Sequence, residues 1–134
     1  MRKFVLDPDM LTMGGVFYPK GHMVVMFPEA ADAQSTGQAL LEAGFTTEEV
    51  FTVDPATTRR EISRTDDGAD IPLPSVGTEG ATVRAFDDLA SKGHHGLVIK
   101  AESADETERA MEVVRKVPFS LAQKYRTLVI EDLK

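Results

Sequence analysis

At 134 residues the chain has the length of one ordinary domain, and its 42% apolar content is enough to bury a real core. A formal net charge of −7 repels phosphate backbones over most of the surface, which argues against nucleic-acid binding. The absence of cysteine excludes disulfides, thiolate metal sites and cysteine nucleophiles, and it allows a reducing compartment.

Met1-Arg2-Lys3 begins like a signal peptide, but only Phe4-Val5-Leu6 follow before Asp7-Pro8-Asp9. Such a peptide needs an apolar stretch of roughly 7–15 residues, and no run approaches the roughly 20 of a membrane span. A cytoplasmic protein without membrane contact is expected. Lys3 to Leu6 can pair as a short strand. Met10, Leu11, Met13, Val16, Phe17 and Tyr18 are too apolar for a free tail, so this arm either covers one edge of the core or docks on another subunit.

Met23 to Phe27 is a continuous apolar run after a glycine, the pattern of a strand buried on both faces. Asp32 to Ala43 reads as a helix with Ala33, Gly37, Leu40 and Leu41 on one stripe, and Gly44 as its terminator. Gly37 within that stripe implies close packing against the sheet. Phe45 and Glu49 to Val53 supply the second strand. Asp54-Pro55 is a cap followed by a first-turn proline, so Ala56 to Ser63 forms a short helix. Thr65 to Gly77 is rich in Asp, Gly, Pro and Ser without apolar period and reads as a loop. Gly80 to Ser91 is helical, with Val83, Phe86, Leu89 and Ala90 on one face. His95 to Ala101 is the third strand. Ser103 and Glu106 form a capping box for the next helix, whose buried stripe is Ala104, Thr107, Met111, Val114 and Val117. Pro118 ends it, and Lys124 to Ile130 is the last strand.

The chain says part of this twice. Shifted by about 73 positions, Val24-Val25-Met26 falls on Leu97-Val98-Ile99, Glu29 on Glu102, Ala31-Asp32 on Ala104-Asp105, and His22 on His95. One domain over 1–134 follows, with β-α-β halves at about 22–53 and 95–130 and an insertion at 54–93. The expected fold class is α+β: a ferredoxin-like α/β sandwich, strand order 4-1-3-2, helices on one face and an inserted helical segment.

Chemistry is thinly marked. No G-x-S-x-G, H-E-x-x-H, P-loop or dinucleotide fingerprint occurs, so no catalytic residue, metal or cofactor is expected. His22 and His95 would start antiparallel neighbours and so lie at opposite ends, which prevents a shared metal. The RNA-binding version of this plan needs stacking aromatics on its central strands, and only Phe27 is available. What remains is polar and low in specificity: the arginine cluster Arg59, Arg60 and Arg64, suited to phosphate or carboxylate, and the paired His94 and His95.

The stretch VVMFPEAADAQSTGQALLEAGFTTEEVFTV resembles the opening unit of small bacterial stress-protein-like and uncharacterised ferredoxin-like domains. HHGLVIKAESADETERAMEVVRK and the ending KYRTLVIEDL are similar to the same group, over about 16–53 and 81–133 in all. The resemblance implies a ferredoxin-like fold and a bacterial cytoplasmic setting, and it carries no catalytic residues. The expected function is a non-catalytic module that binds a protein partner or a small anionic ligand, as a homodimer or larger oligomer. The alternative is a small enzyme or ligand-sensing regulator with a pocket between the sheet and the 54–80 insertion.

Overall fold

The computed structural model describes residues 1–12, 15–63, 77–127 and 129–134, with backbone alone at 77–80. In chain order these form β1 (Arg2–Lys3), β2 (His22–Phe27), α1 (Ala30–Glu42), β3 (Val50–Val53), α2 (Pro55–Thr57), α3 (Gly77–Ser91), β4 (His95–Lys100), α4 (Ala104–Val114), β5 (Leu121–Tyr125) and β6 (Ile130–Asp132). A 3-10 turn spans Pro8–Met10, and α2 runs directly into a π-helical turn, Thr58–Ile62. The loop expected at 65–77 lies outside the described residues except for its last position, as does Arg64.

The strands make one mixed α+β sheet in the order β1-β3-β4-β2-β5-β6. β1 is parallel to β3, and every other neighbouring pair is antiparallel. The two β-α-β units therefore interleave: β4 lies between β2 and β3, and β2 lies between β4 and β5.

Alternation along the central strands explains their unbroken apolar sequence. Met23, Val25, Phe27, Leu97 and Ile99 face one side, where they pack with Leu40 of α1 and Met111 and Val114 of α4. Val24, Met26 and Val98 face the other, against Val83 and Phe86 of α3, Ile62, Phe4 and Phe17. Full burial of each such side chain contributes about 1.5–3 kcal/mol. Helices on one face only were expected; the sheet carries them on both. The apolar stripe of α3 finds its partner on the second face, beside the N-terminal arm. Phe17 sits edge-on to Phe4, Phe86 and Tyr125 with ring centroids 6.0, 6.3 and 6.0 Å away. The arm thus covers the core of its own chain.

The single strand expected at 124–130 is instead a hairpin. The Arg126 amide donates to the Val129 carbonyl at 2.9 Å and Tyr125 pairs with Ile130, so the chain reverses there. Helix ends follow local chemistry more closely. Ser103 Oγ accepts from the Glu106 amide at 3.1 Å while Glu106 Oε1 accepts from the Ser103 amide at 3.2 Å, completing the capping box. Gly44, at φ 107°, makes the left-handed turn that ends α1.

Candidate ligand pocket

Where β3 ends and β4 begins, the chain leaves a pocket of about 480 Å³. Its walls come from Lys3–Val5 at the end of β1, the first turns of α1, Thr52–Asp54, the start of the insertion, and His95-Gly96. Asp54 sets the geometry. Its backbone is still extended, and its Oδ1 accepts from the Thr57 amide at 2.7 Å, which starts α2 at Pro55. The π-helical turn that follows brings Arg60 to the pocket, and π turns recur at functional sites. Arg60 Nη2 donates to Thr57 Oγ1 and its Nε to Glu61 Oε1, each at 3.3 Å.

The thus-bonded Asp54 carboxyl titrates below its ordinary range. The Thr57 amide is the main cause, and the charges of Arg60 and His95 add to it. His95 Nδ1 lies 3.2 Å from the Gly93 carbonyl. A carbonyl only accepts, so Nδ1 carries the hydrogen and Nε2 is the nitrogen left to the pocket side. Lys3 supplies a second fixed cation, and no ion pair holds it among the described residues. The remaining wall is largely apolar, with Phe4, Val5, Ala30, Ala33, Val53 and Ala56.

Of the candidates read from sequence, the pocket brings together Arg60 and His95. Arg59 points elsewhere, pairing through Nε with Asp87 Oδ1 at 3.3 Å and so tying the π turn to α3. His94 is engaged too: Nδ1 donates to Ser120 Oγ at 2.8 Å, and that hydroxyl donates to the Met26 carbonyl at 3.1 Å. Lys3 and Asp54 were missed as pocket groups. Asp54 was visible only as a cap, and Lys3 reaches the site through the β1–β3 pairing, which leaves no local signal.

A second cavity of about 400 Å³ lies at the opposite end of the sheet, lined by Lys20, Glu102, Lys124 and Arg126 among others. Two of its cations are committed. Lys124 Nζ donates to the carbonyls of Ala101 and Glu102 and to Thr107 Oγ1, and Arg126 pairs with Glu131 at 2.8 Å. His22 starts its strand at this end, opposite Lys100, while His95 is opposite Phe27, so the two imidazoles are a strand length apart. No cluster of three or more His, Asp or Glu able to hold a metal occurs among the described residues. No helix among them is long and apolar enough to cross a membrane.

No protein-family model matches the chain, and comparisons with curated proteins and with solved structures return no significant match.

Proposed function

We propose that the chain is a cytoplasmic, non-catalytic ligand-binding module on a ferredoxin-like plan, and that the pocket beside Asp54 takes a small organic anion. The observation that carries this reading is the convergence of Lys3, Arg60 and His95 on one apolar-walled pocket of about 480 Å³. The plan is supported by the central order β3-β4-β2-β5 and its two interleaved β-α-β units, to which β1, β6 and the second helical layer are additions. Catalysis would need a nucleophile or a second acid–base group bonded to His95. Its one ring bond among the described residues goes to the Gly93 carbonyl.

The test is a thermal-shift screen of small carboxylates and phosphate esters. A binder in excess raises the melting temperature by mass action, and Arg60→Ala removes the rise. A panel that leaves the wild-type melting temperature unchanged would sink the reading.

Among the described residues, the large hydrophobics open to a second copy or a partner lie at the sheet edges, where Val5 and Val129 are 75% and 58% exposed. The faces offer no such argument, since the chain covers both. A monomer at high concentration in sedimentation experiments rules out self-association.

A further inference from the structure

We infer that the ligand is a small carboxylic acid with an apolar body, and that it binds together with a proton on His95. This rests on the pocket being a ligand site, and it adds the ligand's charge and its regulation. The groups that line the pocket with His95 come from several elements. β1 contributes Lys3, the junction after β3 contributes Asp54, and the π turn contributes Arg60, whose neighbour Glu61 is bonded to it. α1 contributes only the uncharged Ala30, Ala33 and Gln34. β2 places Phe27 opposite, and His94, just before the strand, is turned to Ser120.

Lys3 and Arg60 balance Asp54 and the Arg60-paired Glu61 while His95 is neutral, so a proton on His95 supplies a single positive charge. That matches a monoanion; a dianion would also meet Asp54, which stays ionised. Phe4, Val5, Val53 and Ala56 give the rest of the molecule an apolar wall. Histidine is the side chain that changes charge between about pH 5 and 8. A bound carboxylate favours the imidazolium, and by reciprocity the imidazolium favours the carboxylate. Affinity therefore rises as pH falls.

Benzoate is a suitable probe, because a carboxylic acid of this kind stays ionised well above about pH 5 and any pH dependence belongs to the protein. Titration calorimetry on the full chain should give about tenfold tighter binding at about pH 6 than at about pH 8. The heat should vary with buffer, as expected for proton uptake. In His95→Gln, with folding checked by circular dichroism, the ratio between the two pH values collapses to about one. Equal affinity at both pH values, or a ratio that survives His95→Gln, overturns the inference and leaves the pocket standing. So does binding of phenyl phosphate in an Arg60-dependent way with none of benzoate. If no acid in the panel binds at either pH, the pocket reading falls, and this inference with it.

Discussion

His22 and His95 begin adjacent antiparallel strands, and each turns its ring Nδ1 onto the carbonyl two residues upstream, at 3.1 Å to Lys20 and 3.2 Å to Gly93. The repeat seen in sequence is thus repeated in side-chain geometry. The environments differ, however. Burial holds the His22 imidazole below the ordinary histidine range, and the positive charge of Lys100 acts in the same direction against the Lys20 bond and Glu102. With the folded pKa below the unfolded one, the unfolded chain takes up its proton first as pH falls. The contribution is complete above the unfolded value and is lost as pH drops below about 6.5 towards the folded value. The carboxyls of Asp54, Glu106 and Glu108 are also lowered, so what they contribute is lost only in the more acidic carboxylate range. The melting temperature should therefore fall between about pH 7 and pH 5. His22→Asn, whose amide can donate to the same carbonyl, should flatten that slope. A slope unchanged in the variant assigns it to another group.

Gly37 forms the notch in which Met1 rests. An ideal Cβ at this position would lie 1.9 Å from Met1 Sδ and 2.9 Å from its Cε. Gly37→Ala gains up to about 1 kcal/mol of helix propensity. It also forces the half-buried Met1 out of its packing against the α1–α4 core, at a cost of about 1–2 kcal/mol. The net effect in urea denaturation should be a loss of about 1 kcal/mol or less. Stabilisation by the full alanine propensity would mean that Met1 does not occupy the notch in solution.

Local chemistry was the readable part of this chain. The Ser103–Glu106 box, the Asp54-Pro55 start and the Gly44 stop are each written within a few residues. The order of the four central strands followed from the repeat. What failed was nonlocal. The face chosen by α3 depends on the N-terminal arm, and Arg126-Thr127 hides a reversal inside an otherwise apolar run. The helical stripe places Gly37 in close packing against the sheet, yet its neighbour is Met1, far away in sequence. His94 and His95 are indistinguishable as letters, and the strand start sends one to Ser120 and the other to the pocket.

Lys124 is 4% exposed and belongs to the scaffold. Its ammonium has three hydrogens and meets three acceptors, the carbonyls of Ala101 and Glu102 and Thr107 Oγ1, the last at 2.8 Å. The Thr107 hydroxyl in turn donates towards Ala101 or Ser103, at 3.1 and 2.9 Å. This ties β5 to the junction between β4 and α4. Lys124→Met keeps the length and strands the acceptors, which should cost about 2–4 kcal/mol by urea denaturation. Thr107→Val removes a single partner and should cost about 1–2 kcal/mol. A loss under about 1 kcal/mol in Lys124→Met would show that water replaces the ammonium readily.

Asp54 serves two ends that can be separated. Its Oδ1 caps α2 through the Thr57 amide, and its charge is the single negative one among the pocket-lining residues. Asparagine caps as well as aspartate does, so Asp54→Asn should change stability by no more than about 0.5 kcal/mol. The substitution makes the pocket more positive by one charge, and benzoate affinity should rise several-fold. Arg59→Ala is the matched control on the same turn: its exposed pair with Asp87 contributes at most about 1 kcal/mol, and benzoate affinity should not move. If Asp54→Asn instead weakens binding while circular dichroism shows the cap intact, Asp54 contacts the ligand directly, as an acceptor for a donor group. The pocket would then be selecting for a zwitterion or a hydroxy acid in place of a simple carboxylate.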